Sequence, residues 1–452
     1  MDTLRSKTYL SGFMAPVPDE IDAIGLAVTG TLPAELTGRY FRNGPNPLPG
    51  TDPGHNFAGQ GMIHGVRLAG GRAEWYRNRW VRTPLFEGKR TGSLADVVAN
   101  THVIEHGGHI YALVENGLPY EISSELDTLG PVDFAGKLTT AMTAHPKEDP
   151  VTGDLHFFGY SARPPFLTYH VLSGGKLVRS TEITVPGPTM MHDFAVTEHY
   201  VVWLDLPVVF DAGLLGKNGI PYRWSDGYPA RLGVMPRDGG DADVRWIDIA
   251  PGYAFHVGNA HEDDRGHIVL DAVRYDHGDF DELWQVLGGV TTPVESLASS
   301  DTGGVLYRWV VDPGRRTVSE HALDDAAVEF PTLNDEHVGR GNRYLYTVGA
   351  PFLVRKDTGP SVIKYDTAHG SRQVHALDPH WVVGEAVFVP GQDATAEDDG
   401  WLLSVITHET ADAARLLVLD ASDVAAGPVA TVELPRRVPA GFHGSWIPDD
   451  AA

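Results

Sequence analysis

The feature that most restricts the fold is a succession of short β-like runs, each closed by a turn, with almost no helical periodicity between them. Val66-Arg67-Leu68 is followed by Ala69-Gly70-Gly71-Arg72 and then by Ala73-Glu74-Trp75-Tyr76. Val103-Ile104-Glu105-His106, Gly107-Gly108 and His109-Ile110-Tyr111-Ala112-Leu113-Val114 repeat the pattern. Both read as hairpins with tight glycine turns. Runs at 155–160 and 166–172 follow, and Ser173-Gly174-Gly175-Lys176 turns the chain into Leu177-Val178. Further runs lie at 200–204, 267–273, 305–311, 344–348, 401–406 and 415–420. Helix is expected only over 280–287, with a short helical turn at 411–414.

Many short strands with regular turns imply a sandwich, a barrel or a propeller. The 51 glycines and 32 prolines are spread along the chain, and no linker divides it. A single domain over 1–452 is therefore expected. A compact propeller blade takes about 40–45 residues. Seven blades would share the 452 residues at about 65 each, leaving loop enough to roof one end of the disc.

Composition removes several kinds of function. The net charge is −25, which repels a phosphate backbone and argues against nucleic-acid binding. There is no cysteine, so disulfides, thiolate nucleophiles, Fe–S clusters and cysteine zinc sites are excluded. The charged start Met1-Asp2-Thr3-Leu4-Arg5-Ser6-Lys7 leads into no apolar run, so neither a signal peptide nor a membrane span is expected and the cytoplasm is the default location. Gly-x-Ser-x-Gly and a Rossmann fingerprint after a strand are also missing.

What remains is 21 histidines, four of them in distinctive settings. His145 stands in Thr143-Ala144-His145-Pro146-Lys147 and His192 in Met190-Met191-His192-Asp193-Phe194. His256 stands in Tyr253-Ala254-Phe255-His256-Val257-Gly258 and His443 in Pro439-Ala440-Gly441-Phe442-His443-Gly444. Separations of 47, 64 and 187 residues rule out a shared helix and a His-Glu-x-x-His zinc motif. Only a closed fold that gathers distant segments can bring them together. Taken singly, each also reads as a turn or core histidine.

These four contexts, with Tyr40-Phe41-Arg42-Asn43-Gly44-Pro45-Asn46-Pro47, Gly61-Met62-Ile63-His64-Gly65, Ala99-Asn100-Thr101, Glu329-Phe330-Pro331 and Glu397-Asp398-Asp399-Gly400, resemble the carotenoid cleavage oxygenase family. The matching segments run from about residue 40 to residue 446, nearly the whole chain. The resemblance implies an all-β, seven-bladed propeller with a dome of loops and short helices over an axial metal site. It implies Fe(II) held by His145, His192, His256 and His443, with O₂ as co-substrate. Neutral imidazoles suit iron, and carboxylates that accept the second ring N–H fix each ligand's tautomer. By motif those carboxylates are Glu115, Glu329 and Glu385. Thr101 matches a threonine whose methyl lies near an open iron position, and it equally suits a strand. His64, His261 and His408 are expected not to be ligands.

The implied reaction is oxidative cleavage of a C=C bond in a carotenoid or apocarotenoid to two carbonyl products. The partner is then a lipophilic polyene or aryl-alkene. Phe57, Val114, Met191, Phe255 and Phe330 are the expected wall of its cavity, although the aromatic residues and Met191 also suit plain core packing. Relatives that cleave phenolic stilbenes or phenylpropenes carry a lysine before the first glutamate, where this chain has Val114. A buried phenolate would be unpaired there, which is costly. Stilbene or phenylpropene cleavage is the second reading, and a propeller that binds without chemistry the third. The family's usual aspartate is replaced by Gln60, which removes a local charge. Leu206-Pro207-Val208-Val209-Phe210 with Leu214-Leu215 is the segment expected to give weak peripheral contact with a membrane, or else it is a strand and a buried loop.

Overall fold

The computed structural model describes residues 7–217, 219–288, 303–349 and 359–449. The charged start at 1–6 lies outside them. The chain is all-β and mostly sheet, and its strands pair antiparallel throughout. The expected hairpins form: Gly61–Ala69 pairs with Arg72–Trp80, and His102–His106 with His109–Leu113. At the second turn Gly107 and Gly108 both have positive φ, 62° and 83°. That is the pair of left-handed residues a two-residue hairpin turn requires, and glycine adopts it without strain.

Most sheets are runs of consecutive strands. Four-stranded sheets hold 102–131, 147–182 and 194–248. The strand Thr317–Thr332 serves two sheets, because its first part pairs with Val305–Asp312 and its last part with Tyr344–Gly349. The two ends of the chain are sewn together: Gly444–Pro448 pairs with Gly38–Pro45, and Val28–Gly30 with Pro428–Glu433. Apolar residues fill the space between neighbouring sheets. Trp203 is fully buried, stacked on Phe194 at 5.6 Å and met edge-on by Phe158 and Tyr169. Burial of one such side chain stabilises the fold by about 1.5–3 kcal/mol.

Helix α1 (His277–Leu287) begins three residues before the expected 280–287. Asp276 caps it by accepting the Asp279 N–H, and Phe280, Leu283, Val286 and Leu287 form its buried face. The helical turn expected at 411–414 is not there. The His408 ring accepts the N–H groups of Thr410 and Ala411, which bends the chain, and Ala414 already opens the strand Ala414–Asp420. Among the described residues no helix is long and apolar enough to cross a membrane. Leu206 and Val208 are core residues, so the expected surface segment reduces to half-buried Val209, Phe210 and Leu214 with exposed Leu215.

Candidate metal centre

Seven strands reach the same small region, and all but the one that carries His256 deliver the functional residue at or beside a strand end. Thr101 precedes His102–His106, His145 precedes Lys147–Glu148, and His192 precedes Phe194–Val196. His256 lies within Tyr253–Glu262, Glu329 near the end of Thr317–Thr332, Glu385 before Val387–Pro390, and His443 before Gly444–Pro448. An edge strand leaves backbone N–H groups unpaired, and the acidic side chains here supply acceptors. Asp193 accepts the Val257 N–H at 2.8 Å, Glu385 the Gly444 N–H at 2.8 Å, and Glu329 the Phe330 N–H at 2.6 Å. Phe330 has φ of 52°, a left-handed conformation rare for so bulky a residue. The strain sits where Glu329 is aimed at the centre.

The four histidines converge, each offering one ring nitrogen, and these atoms all lie within 4.8 Å of one another. Nε2 of His192 is 3.1 Å from that of His145 and 3.3 Å from that of His256. Two nitrogens about 2.1 Å from a shared ion, the usual imidazole–metal length, are about 3 Å apart when their bonds are near perpendicular. The spacing therefore fits a metal ion. The rings stand edge to face, at 87° for His145 and His443 and 75° for His256 and His443, as ligands around one point do.

Three of the rings are held from behind. His192 Nδ1 donates to Glu115, His256 Nδ1 to Glu329 at 2.6 Å, and His443 Nδ1 to Glu385 at 2.9 Å. Donation from Nδ1 leaves the Nε2 lone pair facing the centre, which is the tautomer a metal needs. His145 has no carboxylate partner among the described residues. Burial, reinforced by the neighbouring imidazoles, holds His145 well below the ordinary histidine range. Burial also lowers His256 and His443. His192 is raised instead, because the Glu115 contacts outweigh the opposing effect of burial. Burial pushes Glu329 up to about 7. Burial pushes Glu385 the same way, but His443 and the Gly444 N–H outweigh it and hold it below the usual range. A divalent ion across the imidazole would favour the carboxylate form of Glu329 too.

On one side the cluster opens into an apolar cavity of about 150 Å³, reached by His192, His256 and His443. Phe57, Val114, Phe255 and Phe330 line it, as do Thr101, Glu115 and Glu329. Met191 does not. It packs with Phe194 and Trp203 between two sheets, and Met190 takes the wall, because neighbouring residues of an extended chain face opposite ways. Among the described residues no lysine or arginine lines this cavity. The motif around Gln60 keeps its turn, with the Gln60 carbonyl accepting the Asn46 N–H at 2.7 Å.

His64, His261 and His408 stand outside the cluster. His64 is bonded to Tyr76 at 2.8 Å. Sequence reading missed four supports. Tyr160 donates to Glu115, and Tyr275 donates to Glu329 at 2.9 Å. Asp193 binds Lys147 at 2.9 Å and joins two sheet edges. His102 bonds the Ala144 carbonyl at 3.0 Å and packs 5.0 Å from the His443 ring. Asp193 was signalled by its place directly after a ligand. The tyrosines carried no signal, since only the packing of sheets brings them to the glutamates.

Comparison with known proteins agrees with this geometry. The family model described as retinal pigment epithelial membrane protein matches residues 14–448. The chain is 42% identical to the carotenoid cleavage oxygenase of Mycobacterium tuberculosis, over 97% of each chain. It is 29% identical to the lignostilbene dioxygenase of Pseudomonas brassicacearum, with a TM-score of 0.85 over 99% of this chain and 100% of that one. It is also 29% identical to the cobalt-substituted apocarotenoid oxygenase of Synechocystis, with a TM-score of 0.82 over 96% and 97% of the two chains. A four-histidine centre that fits a metal, set in an all-β fold shared along almost the whole chain, places this protein in the retinal pigment epithelial membrane protein family of carotenoid cleavage oxygenases, as an oxygenase.

Proposed function

We propose that the chain is a non-haem Fe(II)-dependent oxygenase that cleaves one C=C bond of a carotenoid or apocarotenoid. One alkene and one O₂ give two carbonyl products, so both oxygen atoms and all carbons are accounted for. The observation that carries this reading is the apolar cavity that ends on three of the four imidazoles and, among the described residues, bears no cationic side chain. The seven strands that reach the centre, together with the sewn chain ends, support a seven-bladed propeller built as one domain.

An all-imidazole donor set suits Fe(II), which when bound supplies activation of O₂. The protein supplies position. Phe57, Phe255 and Phe330 hold the polyene by contact alone, and which double bond lies beside the metal decides which is cut. Glu115, Glu329 and Glu385 keep three rings aimed. Thr101 lines the cavity and its hydroxyl donates to Asn100 at 3.1 Å; its methyl group is proposed to limit the access of water.

Incubation with β-apocarotenals and with 4-hydroxystilbenes, followed by product mass, tests the substrate class. Shortened apocarotenals are expected; cleavage of the stilbenes alone would overturn the reading. The Val114→Lys variant is expected to improve the stilbene-to-apocarotenal ratio of kcat/KM by about tenfold, because a buried charged hydrogen bond adds about 1.5–3 kcal/mol. An unchanged ratio would show that this wall position does not select substrate.

Leu215, 60% exposed beside Phe210 and Tyr222, is the proposed point of weak contact with lipid, from which an apolar substrate must be drawn. Phe210→Ser with Leu215→Ser is expected to reduce binding to liposomes severalfold. Equal sedimentation of both proteins with liposomes would discard the idea.

A further inference from the structure

A second cavity reaches the same four-histidine cluster from another direction. It encloses about 920 Å³, and His145, His256 and His443 line its inner end. His145 borders this cavity and not the apolar one, while His192 borders only the apolar one. The cluster thus separates two spaces of different chemistry. The second space runs from exposed Glu35, Glu148 and Glu336 inward to buried Glu385 and the imidazoles. Among the described residues eight carboxylates line it against a single lysine and no arginine. That lysine, Lys147, is neutralised by Asp193 at 2.9 Å. Asp449 at the rim is paired with Arg39 and Arg67, and Glu148 is bonded to His106. Asp335 and Glu336 have no ion-pair partner among the described residues, and both are exposed.

We infer that this acidic channel is the route by which the hydrated metal ion reaches the four histidines, separate from the apolar cavity that takes the alkene. The inference rests on the metal-centre reading above and adds a path to it. A divalent cation loses its water reluctantly, so a passage with apolar walls would resist it. A passage lined by one sign of charge concentrates the opposite ion and speeds its capture. The channel also borders His145, the one histidine of the four with no carboxylate partner among the described residues.

The test measures Co(II) uptake by metal-free full-length protein, followed by stopped-flow absorbance, with circular dichroism to verify that the metal-free protein is folded. Asp335→Lys with Glu336→Lys is expected to slow uptake about tenfold at low ionic strength, with the deficit shrinking as salt rises. Final cobalt content should stay at one per chain. Ile220→Trp, which narrows the apolar cavity, is expected to leave the uptake rate unchanged. Slowing by Ile220→Trp as large as that by the channel variant would overturn the proposal, as would equal rates in all three proteins. If no variant or wild type holds cobalt at equilibrium, the metal-centre reading itself fails, which separates the two.

Discussion

Replacement of His192 by alanine is expected to leave a folded protein that has lost its metal and about a thousandfold or more of its turnover. The ring has two jobs that no neighbour can assume. Its Nε2 sits 3.1 and 3.3 Å from those of His145 and His256, so its removal opens a gap in the ligand set. Its Nδ1 is the partner of Glu115, which would be left beside a void with only Tyr160 to satisfy it. The Lewis-acid contribution of a bound metal amounts to several kcal/mol, and about 1.4 kcal/mol is tenfold in rate. Iron analysis of protein purified without added metal, alongside turnover of a β-apocarotenal, measures both effects. Wild type should hold about one iron per chain. His408→Ala, far from the cluster, should hold the same. Metal content and rate in His192→Ala equal to wild type would sink the oxygenase mechanism.

The second large effect is expected at Glu385. Its carboxylate accepts from His443 Nδ1 at 2.9 Å and from the Gly444 N–H at 2.8 Å, and the residue is buried. Glu385→Ala therefore frees the His443 ring and strands a backbone donor on the strand that sews the chain ends together. Loss of such a support lowers metal affinity or activity by about 10–100-fold. The stranded donor adds a stability cost of about 1–3 kcal/mol. Glu385→Gln keeps one acceptor oxygen, enough for one of the two donors, and no negative charge, so it should recover part of the stability and part of the affinity. Chelator competition measures the affinity, and thermal unfolding of the metal-free protein measures the stability. If alanine and glutamine weaken metal binding equally, the support is electrostatic and not geometric. If neither weakens it, Glu385 does not support the ligand.

Hairpins and the family motifs were legible in the chain because they are local. Gly107-Gly108 favours a tight turn by itself, whereas the helix start at His277 and its Asp276 cap were not read from the chain. The four clustered histidines were legible only through their flanking motifs, since no spacing rule links residues delivered by different sheets. Met190 and Met191 show the limit. Both are apolar, adjacent and buried, and which one faced the cavity depended on which face of the strand turned inward.

The amino-acid order alone determined an all-β chain without cysteine chemistry, the family, and the identity of the four histidines and three glutamates, because turn geometry, residue chemistry and motif identity are properties of short segments. Tertiary structure alone decided which glutamate bonds to which histidine, the tyrosines behind Glu115 and Glu329, and the apolar and acidic cavities on either side of the histidine cluster. Those are relations between sheet edges far apart in the chain, and they are fixed by how the sheets pack and close, not by any stretch of residues read by itself.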